Sequence, residues 1–286
     1  MTNFFEKYKS YVDRFEIHFK DFFNNLTDCP KKLQDAMTYS AYAGGKRIRP
    51  VLLLTVNELL GGKEHDVIDF AIAIECIHTY SLIHDDLPCM DNDDFRRGQP
   101  SNHKKFGEGL AVLAGDALLN LAYEHAINST RSKEDLQATK LLAEFAGQSG
   151  MIAGQVYDVF GNQTKSSEEL NKIILNKTAK LIMAPLLIAS IKNGNRYFDE
   201  LYKLGEKLGF IFQIKDDILD KPGSLSIIGK TPNKDEDKNN YVNLYSIEKA
   251  EQTLLSLYNQ CVSIAKNLPN NDFLIQIIDY LYKRNK

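Results

Sequence analysis

Asp216, Asp217 and Asp220 stand in the run GFIFQIKDDILDK, and Asp85, Asp86 and Asp91 stand in SLIHDDLPCMDNDDFRRG. Each residue of a helix turns about 100°, so Asp216 and Asp220 share a face and Asp217 flanks them. Asp85 and Asp91 are six apart, about 240° round a continuous helix, which would separate them. Pro88 supplies the remedy: inside a helix its ring clashes with the carbonyl of His84, so the chain kinks or unwinds there. A widened turn then brings Asp91 back beside Asp85 and Asp86, and the motif reads D-D-x-x-x-x-D. Five carboxylates lie between positions 85 and 94. Mutual repulsion, the negative end of the helix dipole and the apolar run before them all oppose placing anions there. A chain that gathers them relies on a cation, and oxygen-only ligands suit magnesium, which shares its shell with water and phosphate oxygens. One isolated acidic motif is more often a solvated patch. Two motifs about 130 residues apart, each closing a mostly apolar helix, are not.

Basic residues alternate with these carboxylates. Lys46, Arg47 and Arg49 follow Gly44-Gly45, Arg96 and Arg97 follow the first acidic cluster, and Lys177-Thr178 opens an apolar helix. Lys230 and Lys238 fall in an irregular stretch, Lys221 to Tyr241, which reads as a mobile loop. Each basic group alone is an ordinary surface charge. Together with metal-ligating carboxylates they point to phosphate oxygens, for which arginine offers two parallel hydrogen bonds, and so to a diphosphate substrate.

Helices must position all of this. Apolar residues at spacings of three and four from Phe4 to Leu26 predict a first amphipathic helix. Further helices are predicted over about 30–43, 50–60, 66–84, 109–129, 134–160, 168–192, 197–220, 246–267 and 270–284. The run 66–84 is apolar almost all round and should be buried on every side. Within it Glu75 and His78 share a face. No run of period-two alternation predicts a strand. The expected fold is all-α, a single domain over residues 1–286 with ten or more helices around a central cavity.

Composition narrows the functional classes. The 286 residues are 43% hydrophobic and 26% charged with a net charge of −3, which gives no electrostatic case for nucleic acid. No uninterrupted apolar run reaches the roughly 18 residues of a membrane span. The first residues mix charge throughout and lack a signal-peptide core. Cys29, Cys76, Cys89 and Cys261 form no C-x-x-C pair and read as reduced thiols of a cytoplasmic protein.

The motifs carry a resemblance over about residues 35–245. GGKRIRP at 44–50, ECIHTYSLIHDDLPCMDNDDFRRGQPSNH at 75–103, FGEGLAVLAGDALL at 106–119, GMIAGQVYD at 150–158, NKTAKLI at 176–182, GFIFQIKDDILD at 209–220 and GK at 229–230 resemble the trans-prenyltransferases of the isoprenyl diphosphate synthase family. Within it they are most similar to the bacterial farnesyl diphosphate synthases. The resemblance implies that Asp85, Asp86, Asp91, Asp216, Asp217 and Asp220 hold three magnesium ions on an allylic diphosphate, dimethylallyl or geranyl. Arg96, Lys177, Lys230 and Lys238 would grip that diphosphate. Lys46, Arg49, His78 and Arg97 would bind isopentenyl diphosphate, and Thr178 and Gln213 would lie over the reacting carbons. A homodimer is implied as well. The run TPNKDEDKNNYVNL is about two residues shorter than the family pattern and lacks its proline, which leaves Lys234 competing with Lys238. His84, Asp93 and Asp94 receive no role, whereas Gln148, Gln155 and Asp158 are spaced to face the cavity.

Sterics bear on product length. A prenyl tail running from Asp85 toward the start of its helix meets Ser81 and Tyr80 about one turn below. A bulky Tyr80 makes a floor for a fifteen-carbon product, farnesyl diphosphate, and geranylgeranyl diphosphate is the alternative. A terpene cyclase would carry an asparagine–serine–glutamate second motif and lack GGKRIRP. A phosphohydrolase built on His84-Asp85 leaves the second motif unexplained. A non-catalytic subunit would have lost one motif, and a P-loop kinase needs a different glycine spacing.

Overall fold

Phe15, Phe19 and Phe23 recur every fourth residue and are fully buried, so the first helix packs by one apolar stripe, as its periodicity requires. The computed structural model describes residues 4–161, 166–220 and 240–285. Helix α1 spans Phe4–Asn24, α2 Lys31–Ala41, α3 Ile48–Leu59 and α4 Ile68–Asp85. A two-residue hairpin, β1 Phe95–Arg96 and β2 Gln99–Pro100, precedes α5 Asn102–Phe106, α6 Glu108–Asn128, α7 Lys133–Ala146 and α8 Met151–Val159. Helix α9, Ser167–Ile173, passes through a π turn, Ile174–Ala179, into α10, Lys180–Lys192. Helices α11 Phe198–Leu219, α12 Tyr241–Tyr245, α13 Ile247–Ala265 and α14 Asp272–Lys283 complete the described residues. The fold is all-α apart from the hairpin.

Helices α4 and α10 form the centre. Twelve of the sixteen residues from Ile68 to Ile83 are buried, and so is every residue from Leu181 to Ile191, which places both inside a shell of other helices. Helix α4 packs on α6 and α3, and α10 packs on α11, α3 and α7. The stretch Ser167–Lys192 is long and apolar enough to cross a membrane by length and composition, but 83% of its most apolar window is buried inside the fold.

The structure departs from expectation at the punctuation. The helix expected over 134–160 is two helices, because the chain breaks at Gly147–Gly150: a Cβ at Gly150 would lie 2.0 Å from the carbonyl oxygen of Phe145. The helix over 168–192 runs through, but with the π turn inside it. The hairpin, α5 and α12 are too short to carry a periodic signal. The loop expected over 221–241 lies outside the described residues as far as 239, and so do Lys230, Lys234 and Lys238.

Candidate active site

Both acidic motifs fall where a long helix stops. Helix α4 ends at Asp85, and Pro88 prevents its continuation. The chain folds back instead: Asp91 N–H donates to the carbonyl of Asp85 at 2.8 Å, and Asp93 N–H donates to that of Asp86 at 3.2 Å. This widened turn sets Asp85 and Asp91 on one cavity wall. Asp86 goes the other way. Its buried carboxylate accepts from Arg96 Nε at 3.0 and 3.2 Å and faces a small space behind the wall. One step round the helix from Asp85 turns Asp86 about 100° away, where Arg96 takes it up. Arg96 still reaches the cavity. Asp93 lies 3.8 Å from Arg96, and Asp94 bonds Lys104 at 2.9 Å.

The basic groups on the neighbouring wall are set by backbone geometry. Arg97 and Gly98 form the two-residue hairpin turn with φ of 54° and 76°, the positive values that such a turn demands. This turn aims Arg97 at the carbonyl of Gly44, and its guanidinium lies only 2.8 Å from where a Cβ on Gly45 would be. Lys46, Arg49 and His78 line the same side of the cavity. Tyr8 of α1 donates to the Lys46 carbonyl at 2.6 Å and fixes that turn. Arg47 points inward and bonds Glu16 and Glu75, each at 2.7 Å. Burial lowers Arg49 to about 10, with Arg97 adding to the effect. Burial and then Arg49 and Arg97 hold His78 well below its ordinary value, so it stands neutral among cations.

The π turn presents Lys177 and Thr178. A widened turn of this kind recurs at functional sites because it shifts side chains off the regular helical register. Gly154 of α8 lets the backbones touch: its Cβ would meet the Lys177 nitrogen at 2.2 Å. Lys177 donates to Asp158 at 2.7 Å. Burial opposes its charge, but Asp158 and Asp85 outweigh burial and raise its pKa. Gln155 donates to Asp85 at 2.7 Å. Burial raises Asp85 to about 6; Lys177 opposes this rise and Asp91 adds to it.

The second motif closes α11. Asp216 and Asp220 face the cavity as the spacing predicts, and Asp217 touches it too. Asp217 is buried and raised to about 6, mainly by burial. Arg284, at the end of α14, was not foreseen in this site. Its side chain is 3% exposed, bonds Asp216 at 2.8 Å, donates to the carbonyl of Phe212 and lies over the Phe212 ring. An aromatic cluster of Phe4, Tyr8, Phe273 and Tyr280 ties α14 to α1 and carries Arg284 in. No spacing in the sequence signals this contact.

The cavity so enclosed measures about 570 Å3, ample for a small-molecule site. Its lining interleaves carboxylates with cations, and Leu82, Ile173, Ile174 and Phe212 are apolar. Tyr80 and Ser81 do not line it. Tyr80 is buried with its ring 5.7 Å from that of His84, and Ser81 donates to the carbonyl of His78. Among the described residues no three carboxylate, His or Cys groups converge on one point. The carboxylates that line the cavity are oxygen-only donors, a set that fits magnesium completed by water and phosphate oxygens.

Fold and cavity together define an all-α protein whose central cavity gathers carboxylates and cations. Residues 30–270 match the Polyprenyl synthetase family, and the chain belongs to that family of prenyltransferases. It is 44% identical over 270 residues to a farnesyl diphosphate synthase of Micrococcus luteus, covering 92% of this chain and 93% of that one. It is 42% identical over 267 residues to a chloroplastic geranylgeranyl pyrophosphate synthase of Capsicum annuum, covering 90% of this chain and 72% of that one. Among solved structures, a Helicobacter pylori geranyltransferase complexed with magnesium and isoprenyl diphosphate superimposes with a TM-score of 0.84 at 35% identity, covering 98% and 97% of the two chains. A Legionella pneumophila geranyltransferase gives a TM-score of 0.86 at 29% identity, with the same coverage.

Proposed function

We propose that the protein condenses isopentenyl diphosphate head-to-tail with dimethylallyl and geranyl diphosphates to give farnesyl diphosphate. The observation that carries this reading is that Asp85, Asp91, Asp216 and Asp220 line one cavity together with the cations Lys46, Arg49 and Arg97. One group suits a metal-bound diphosphate and the other a metal-free one. Magnesium would be held by those four aspartates and, when bound, neutralises the charge that builds on the departing diphosphate. Arg96 and Lys177 add fixed positive charge there, and the same role is assigned to Lys230 and to Lys238 or Lys234, which lie outside the described residues. Lys46, Arg49, Arg97 and neutral His78 hold isopentenyl diphosphate so that its double bond faces the allylic carbon. Thr178 and Gln213 stand where the allylic cation forms. The proton then lost goes to the released diphosphate, so no dedicated protein base is needed.

Product length is set by Tyr80 and Ser81. Tyr80 has Tyr123 of α6 as its electrostatic neighbour, so a tail longer than fifteen carbons would have to open the seam between α4 and α6. Similarity to the Capsicum annuum enzyme supports the twenty-carbon alternative. With magnesium, isopentenyl diphosphate and geranyl diphosphate, the expected product is fifteen carbons long. Twenty carbons as the main product would move the assignment to geranylgeranyl diphosphate synthase. The continuous core from α1 to α14 supports one domain. Exposed Val112, Leu113 and Ile127 on α6, with Val156 and Phe160 near α8, support a homodimer. Sedimentation at twice the mass of one chain tests this.

A further inference from the structure

Thr178, Gln213, Asp217 and the backbone of Tyr241 form one chain of hydrogen bonds that converges on Asp217. Thr178 Oγ1 donates to Gln213 Oε1 at 2.7 Å. Gln213 Nε2 donates to Asp217 Oδ1 at 2.9 Å. Tyr241 N–H donates to Asp217 Oδ2 at 2.8 Å. An amide has one accepting end and one donating end, so the group at 217 decides which end of Gln213 meets Thr178. With a carboxylate at 217, Nε2 must turn toward it and Oε1 toward Thr178. The hydroxyl of Thr178 then directs its only proton inward. What it turns to the cavity, which it lines, is oxygen lone pairs.

We propose that Asp217 is a positioning residue: it fixes the direction of this chain so that Thr178 offers lone pairs, not a proton, to the cation formed beside it, and it leaves the metal to Asp216 and Asp220. The assignment rests on the prenyltransferase reading. Burial of Asp217 at 6% exposure and its bond to a backbone N–H set its plane without any ion. An alkyl cation is stabilised by a lone pair and opposed by an O–H proton, so reversing the chain turns a helpful dipole into a harmful one.

The reversal can be made by substitution. In Asp217→Asn, the amide oxygen keeps the Tyr241 N–H, so the amide nitrogen faces Gln213. Gln213 must then flip, and Thr178 is pushed to point its proton into the cavity. Adding Gln213→Glu repairs the polarity: the amide nitrogen introduced at position 217 and the Thr178 hydroxyl both donate to the new carboxylate. The experiment measures kcat, KM and the magnesium concentration for half-maximal rate, with isopentenyl and geranyl diphosphates, alongside melting temperature. Asp217→Asn is expected to lose about 10- to 100-fold in kcat, the range for one misdirected hydrogen bond to a charge, with KM and magnesium requirement near wild type. The double variant Gln213→Glu/Asp217→Asn is expected to recover most of that loss. Thr178→Val, which leaves the acidic motif untouched, should lose a similar factor, and adding Asp217→Asn to it should cost nothing more. A double variant no faster than Asp217→Asn overturns the proposal. So does a magnesium requirement that rises in Asp217→Asn and stays raised in the double variant, since that behaviour marks a ligand. Additive losses with Thr178→Val also overturn it. Absence of turnover in the unmodified protein would instead sink the prenyltransferase reading.

Discussion

Replacing Gly154 with Ala tests whether the close approach of α8 to the π turn sets the catalytic geometry. The new Cβ would lie 2.2 Å from the Lys177 nitrogen and 2.6 Å from its Cα, whereas ordinary contact begins at 3.4 Å. The two segments must therefore part by about 1.2 Å, and every atom in the way is backbone. Overpacking of this kind costs about 1–3 kcal/mol, and the better helix propensity of Ala returns up to about 1 kcal/mol. A protein of ordinary stability, about 5–15 kcal/mol, remains folded. Catalysis is more sensitive, because a displacement near 1 Å costs about 100-fold in rate. The assay compares kcat at saturating substrates with melting temperature. Gly109→Ala serves as control: nothing lies within 4 Å of its Cβ, so it should leave kcat unchanged. A Gly154→Ala enzyme with wild-type kcat would refute the claim that this contact places Lys177 and Thr178. A melting temperature low enough to unfold the protein at the assay temperature would show that packing was underestimated.

Tyr80→Ala should yield products longer than fifteen carbons, read by chromatography of the dephosphorylated alcohols; an unchanged fifteen-carbon product removes Tyr80 as the floor. The same change empties a buried site and should cost about 3–5 kcal/mol in stability. Asp158→Asn takes the charge from the 2.7 Å partner of Lys177, and about a tenfold fall in kcat/KM for the allylic diphosphate is expected from weakening one ion-paired hydrogen bond. Unchanged kcat/KM would remove Asp158 from the site. Burial raises Asp85 and Asp217 to about 6, so the folded protein holds protons that the unfolded chain has already released between about pH 4 and 6. These two groups therefore make the metal-free protein more stable as pH falls through that window. Magnesium with an unreactive allylic diphosphate needs Asp85 as an anion, so its stabilisation should shrink from about pH 7.5 to pH 5.5. A thermal shift that grows on acidification contradicts this.

The long helices were legible because burial imposes its period on sequence. Phe15, Phe19 and Phe23 announce one face, and the run of α4, apolar almost all round, announces a central helix. Helix ends were legible where Gly or Pro forced them, as at Gly61 and Pro88. The break at Gly147–Gly150 was not, since isolated glycines are tolerated inside helices and only the crowding of the Phe145 carbonyl decides the matter. The π turn leaves no periodic mark either. Within the site, spacing located both acidic motifs but not the direction of each carboxylate: Asp86 is claimed by Arg96, a contact fixed by the hairpin at Arg97-Gly98. Arg284 was hidden for another reason. It reaches Asp216 only because aromatic packing docks α14 on α1, and such long-range docking has no local signature.

The central claim is that the aspartates lining the cavity make a metal-dependent site for joining two diphosphates. Incubation with isopentenyl and dimethylallyl diphosphates, with magnesium or with excess chelator, tests it most directly, with product and released diphosphate measured together. The account predicts one diphosphate released per condensation, product up to fifteen carbons with magnesium, and neither with chelator. Absence of elongated product in magnesium, or an undiminished rate under chelation, would contradict it.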